Sequence, residues 1–150
     1  MAVWELAQLN IAESVAPLDS PELADFVANL DRINALAEKS PGFVWRFTGD
    51  ADDASLSVAP FAEDTIVNLS VWQDIDSLHD YVYRTAHTEV MRRRHEWFVS
   101  RKEASAVLWW VPEGHRPDFH EAHQRLMQLN ESGPSDTAFT FKQRRDPPQT

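Results

Sequence analysis

The sequence predicts an α+β domain: a ferredoxin-like split βαβ antiparallel sheet with an added C-terminal helix and strand. Three observations lead there. Segments of period-two and period-3.6 hydrophobicity follow one another as β, α, β, β, α, β and then α, β, with two strands meeting directly only once, in the middle. The 150 residues suffice for one hydrophobic core and not for two. The chain is 43% hydrophobic, with six Trp and eight Phe, too rich in core-forming side chains for disorder. Residues 1–142 are read as the single domain and residues 143–150 as a flexible tail.

The first strand, over about residues 3–12, sets Val3, Glu5, Ala7, Leu9 and Ile11 on one face and Trp4, Leu6, Gln8 and Asn10 on the other. Ser20 stands as an N-cap before Pro21, whose missing N–H costs nothing at the first helical position. Leu23, Phe26, Val27, Leu30, Ile33 and Ala37 then form one apolar stripe on a helix over about 21–39, which Ser40-Pro41-Gly42 stops. Two runs of β-branched and aromatic residues, Phe43–Thr48 and Thr65–Trp72, are the central strands. In the second, Val67, Leu69 and Val71 make an apolar face, while Asn68, Ser70 and Trp72 make a mixed one. The acidic connection 49–64 between them is long for a compact domain, and either covers a site or interface or is a solvated surface loop.

Asp74 caps a helix carrying Ile75, Leu78 and Val82, whose pattern resumes through Ala86, Val90 and Trp97 after a break at Thr85. A strand over about 105–112 ends at Pro112 and Gly114. Asp118 caps the last helix, on which Phe119, Ala122, Leu126 and Leu129 share a face, and Gly133-Pro134 ends it. Ala138–Phe141 is the short final strand. A ferredoxin-like sheet carries helices on one face, so the other face needs a cover, and a second subunit is the natural one.

Composition excludes several functions. The chain has no Cys, which removes disulfides, thiolate nucleophiles and Cys-held metals. The net charge of −10 is concentrated early, with 15 acids and 3 bases in the first 80 residues and 9 acids and 11 bases in the rest. Nucleic acid needs a basic stripe, and Arg92-Arg93-Arg94 point in three directions on a helix, so no nucleic-acid partner is expected. No apolar run reaches membrane-spanning length, and Glu5 interrupts what a secretory segment would need. No membrane partner and a cytoplasmic location are therefore expected. Four glycines with no Gly-x-Ser-x-Gly or phosphate-cradling loop leave no room for α/β-hydrolase, Rossmann or P-loop chemistry.

Histidine and tryptophan carry the remaining signals. His79, His87 and His95 lie about 12 Å apart on a straight helix and cannot share an ion. His120 and His123 are one residue short of the spacing of the H-E-x-x-H zinc motif, and no metal site is expected. His87 falls at the edge of a buried helical face beside Tyr83 and Met91, either as a half-buried structural imidazole or as a base. His115 sits in a strand-to-helix turn, where it either fixes the turn or touches a ligand. Trp45, Trp72, Trp109 and Trp110 fall on strands and suit core packing, a dimer seam or the wall of an aromatic-ligand pocket.

Several blocks together resemble a known family. They are Ser40-Pro41-Gly42-Phe43-Val44-Trp45-Arg46, Asn68-Leu69-Ser70-Val71-Trp72, Tyr83-Arg84-Thr85-Ala86-His87 with Arg92-Arg93-Arg94 and Trp97-Phe98, the run Leu108 to Pro117, and Gly133-Pro134 with Ala138-Phe139-Thr140-Phe141. Over about residues 6–142 the chain resembles domain-of-unknown-function family 3291, itself similar to antibiotic biosynthesis monooxygenase-like proteins. Asp118 departs from the Thr usual there, and both residues cap helices. The resemblance implies a dimeric α+β barrel, two ferredoxin-like protomers packed sheet to sheet, and brings no established reaction.

Two functional classes remain open. One is a cofactor-independent monooxygenase-like enzyme acting on a small apolar or aromatic metabolite, with His87 as the base and Tyr83, Asn68 and Trp110 as orienting donors; Trp45 and His115 complete the ligand-binding set. The other is a noncatalytic carrier or sensor with the same pocket. Haem held by His87 is a minor alternative, and otherwise no cofactor is expected.

Overall fold

β1 (Trp4–Glu13) runs inside a four-stranded sheet of order β2, β3, β1, β4, flanked by β3 (Thr65–Trp72) and β4 (Ala106–Pro112), with β2 (Phe43–Arg46) outside β3. Every neighbouring pair is antiparallel. This is the order of the split βαβ plan, with β3 and β1 in the centre. The computed structural model describes residues 3–17, 19–47, 65–84, 92–99 and 104–148. The acidic connection 49–64 and His87 lie outside the described residues.

Helix α1 (Ala24–Lys39) follows a 3-10 turn at Pro21–Leu23, and α2 (Ile75–Arg84) follows β3. Both pack on the sheet face that carries Leu6, Trp72 and Leu108, contributing Ile33, Ala37, Ile75, Leu78 and Tyr81. The short α3 (Arg94–Trp97) closes the far end of that face, where Leu23, Phe26, Ile66 and Trp97 form a second cluster. Asp74 caps α2 as its spacing predicts, accepting from the Ser77 N–H at 2.8 Å. Ser20 does not cap α1. Pro21 opens a 3-10 turn in which the Leu23 N–H goes to the Ser20 backbone carbonyl, leaving the Ser20 hydroxyl buried without a partner among the described residues.

The other face is not bare, which corrects the expectation of helices on one side only. α4 (Phe119–Ser132) lies across it, seating Phe119, Ala122, Leu126 and Leu129 on Ala7, Leu9, Val107, Trp109 and Val111. Asp118 caps α4 through the Glu121 N–H at 2.8 Å. The final strand is also corrected. Phe139 alone exchanges both backbone hydrogen bonds with Leu108 at 2.9 Å, and the chain then turns through Thr140 to Gln143. Phe139 is fully buried, worth about 2–3 kcal/mol of burial, so one anchored aromatic takes the place of a ladder. The chain continues over α2, where Phe141 meets His79 and Tyr83 edge-on and Arg144 pairs with Asp76 at 2.7 Å.

Candidate functional site

Register builds the site. On the face under α1 and α2, side chains line up across the strands in rows about 7 Å apart, two residues of strand rise. The first row is Trp110, Leu6, Trp72 and Phe43, the second Leu108, Gln8, Ser70 and Arg46, and the third Ala106, Asn10 and Asn68. A bulge between Phe43 and Trp45 sends Arg46 to this face and Trp45 to the other. The face therefore grades from aromatic to amide. Its aromatic end is sealed by the helices, whereas Asn10 and Ala106 are exposed and Asn68 is half-buried.

One hydrogen-bonded chain ties the rows together. The Trp72 indole N–H donates to Ser70 Oγ at 2.9 Å, and Gln8 Nε2 donates to the same oxygen at 2.7 Å and to Asn68 Oδ1 at 2.6 Å. Trp72 stacks on Tyr81, which donates its hydroxyl to the Ile33 carbonyl of α1 at 3.1 Å. Burial pushes the Tyr81 phenol far above its usual value, with Arg46 pulling weakly the other way. Arg46 itself lies 3.4 Å from Glu38 of α1. Among the described residues, Asn68 Nδ2 makes no hydrogen bond, and Asn10 is its cross-strand neighbour. A fixed N–H donor at the border of an apolar face is suited to a carbonyl or oxyanion.

Among the described residues, the side chains singled out in the sequence do not converge. Asn68 is in this site. Trp110 shares its face, but the indole N–H is taken by the Arg145 carbonyl at 2.9 Å. Tyr83 is 49% exposed on the outer side of α2, against His79 and Phe141. Trp45 lies on the α4 face, beneath the Arg116 guanidinium at 5.8 Å. His115 is in the turn between β4 and α4, with Nε2 at 2.7 Å from Glu121, whose other oxygen accepts from the Trp109 indole at 2.9 Å. His87 lies outside the described residues. Among the described residues no group of three or more His, Asp or Glu could hold a metal, and no helix is long and apolar enough to cross a membrane. Gln8 and Ser70 were not singled out. Their signal is two polar residues on a strand face that otherwise reads as aromatic, and it becomes visible only when β1 and β3 are paired.

Residues 5–150 match the family model described as Domain of unknown function (DUF3291). The chain belongs to the DUF3291 family. Among solved structures it is similar to the NE2512 protein of Nitrosomonas europaea, with 17% identity, 79% of this chain and 97% of that one covered, and a TM-score of 0.50. A conserved protein from Methanosarcina mazei Go1 is 13% identical over 73% of this chain and 92% of that one, also at 0.50. SnoaB, a cofactor-independent oxygenase from Streptomyces nogalater, is 16% identical over 76% and 95%, at 0.45. No curated protein sequence matches. At such identities the likeness of this DUF3291 chain to solved structures is one of fold.

Proposed function

We propose that this DUF3291 protein binds a small, flat, largely apolar metabolite over the Asn68 row and acts on it as a cofactor-independent oxygenase. The observation that carries the reading is the Asn68 amide, whose Nδ2 makes no hydrogen bond among the described residues, beside the aromatic and aliphatic cluster of the same sheet face. Such a donor stabilises the oxygen of a ketone as the adjacent carbon acid loses its proton. A ring-stabilised carbanion can then reduce O2 directly. The base takes a C–H proton, a C–O bond forms to give a hydroperoxide, and loss of water leaves a new carbonyl. His87 is proposed as that base, because an ordinary imidazole changes charge near pH of about 6.5. A homodimer belongs to the same proposal, with Val44, Trp45 and Phe47, half-buried at the β2 edge of the α4 face, as the seam. Light scattering at micromolar concentration should give twice the chain mass; a monomer would end that part.

The test starts with native mass spectrometry of freshly purified protein, expected to show a bound small molecule. Asn68→Ala should lose it while remaining folded, with a stability loss of about 1 kcal/mol because Gln8 gives up one acceptor and keeps Ser70. His87→Gln should retain it but consume no oxygen when the extracted molecule is returned with O2. Retention at full affinity in Asn68→Ala would end the reading, and binding without oxygen uptake by wild type would make the protein a carrier.

A further inference from the structure

The direction in which Asn68 faces is set by a residue that does not reach the open part of the site. Gln8 is buried on β1 and directs its amide nitrogen at three acceptors: Asn68 Oδ1 at 2.6 Å, Ser70 Oγ at 2.7 Å and the Asn68 backbone carbonyl at 3.5 Å. The last of these decides the sense of the network. A backbone carbonyl can face an N–H but repels an oxygen, so Gln8 must present nitrogen on this side. Ser70 is compatible with this sense, because its oxygen can accept from Gln8 as well as from the Trp72 indole, but its hydroxyl could equally donate, so the Asn68 backbone carbonyl is what fixes it. With Gln8 as donor, Asn68 has to turn its oxygen inward and its N–H groups outward.

We propose that Gln8 is a positioning residue that locks Asn68 as a donor, so that the site selects molecules offering an acceptor oxygen there and rejects molecules offering an N–H or O–H donor. A carboxamide is otherwise ambivalent, since rotation by half a turn about its last bond exchanges donor for acceptor at little cost. The lock removes that freedom. Asn10, directly opposite Asn68 and exposed, has no such partner among the described residues and tolerates either kind of neighbouring group. The ligand class follows as a flat ketone, quinone or enolate whose oxygen meets Asn68. This inference rests on the reading of the Asn68 face as the ligand site.

Three bicyclic probes of nearly equal size separate the possibilities: 1-indanone presents only an acceptor, indole only a donor through its N–H, and indene neither. Titrations followed by protein amide NMR shifts should show wild type binding 1-indanone roughly tenfold more tightly than indole, the factor expected of one hydrogen bond gained against one donor left unpaired. Gln8→Glu inverts the lock, because the nearly isosteric carboxylate only accepts and so turns Asn68 to present Oδ1. Its preference should reverse toward indole. Equal affinities for the two probes in wild type, or an unchanged preference in Gln8→Glu, would overturn the proposal. A second measurement needs no ligand. The Gln8 side-chain amide protons should exchange slowly with solvent and those of Asn68 quickly, and the opposite pattern would also overturn it. If none of the three probes binds although the exchange pattern holds, the ligand-site reading has failed and the selectivity falls with it.

Discussion

Ser70 accepts two buried donors with one oxygen, and removing that oxygen tests whether the polar chain under α1 and α2 has the connectivity described. Ser70→Ala deletes a single hydroxyl but strands the Trp72 indole N–H, on a side chain 1% exposed, and one of the two close hydrogen bonds of Gln8. A stranded buried donor costs about 1–3 kcal/mol, and Gln8 keeps its bond to Asn68, so a loss of about 2–4 kcal/mol is expected. Trp72→Phe removes the indole donor and some ring area, for a loss of about 2 kcal/mol by area and hydrogen bonding. The informative quantity is the double variant. With both changed, no indole is left to strand, so its loss should fall short of the sum of the singles by about 1–2 kcal/mol. Urea unfolding followed by far-UV circular dichroism gives all four stabilities without relying on Trp72 as the reporter. Strict additivity, or a Ser70→Ala loss below about 0.5 kcal/mol, would refute the shared acceptor.

Three further outcomes follow from the geometry. Gly42 has φ of +84°, and a Cβ there would collide with the Ser77 hydroxyl and Cβ, whereas Gly114, at +90°, has nothing within 4 Å. Gly114→Ala should therefore cost the left-handed backbone alone, about 1–2 kcal/mol, and Gly42→Ala more by about 1–3 kcal/mol in urea unfolding, with Ser77→Gly restoring only the excess. Asp118→Ala should cost about 1 kcal/mol by uncapping α4, while Ser20→Ala should be neutral or slightly stabilising, because its hydroxyl is buried unpaired; equal losses in thermal melts would contradict this. The buried Tyr81 phenol, raised above its ordinary value of about 10, stabilises the fold fully below that pH and loses this contribution as pH rises toward its folded value. Wild type should thus lose stability above pH of about 10 more steeply than Tyr81→Phe, as read by urea midpoints, and parallel profiles would contradict the burial.

Local pattern was enough for most elements, because helix and strand periods are written residue by residue. The stripe from Leu23 to Ala37 and the alternation of β3 name their elements without any tertiary information. The order of those elements implied the split βαβ sheet. Caps were only half legible, since Ser20 and Asp118 look alike in sequence, and only the 3-10 turn after Pro21 separates a hydroxyl without a partner from a working cap. Where α4 goes was not written locally either. Its apolar face needed a partner, and two were available, a second subunit's or its own sheet's far side; in the fold it lies against Trp109 and Leu9. The candidate site shows the same division. Asn68 was visible as a polar residue on an aromatic strand, but its role as a donor depends on Gln8, sixty residues earlier, and that pairing exists only once β1 and β3 are in register. Sequence alone determined which residues could share a face, because alternation is a property of a single strand. Tertiary structure decided which way the polar groups on that face point, because the direction of a hydrogen bond is a property of two strands brought together.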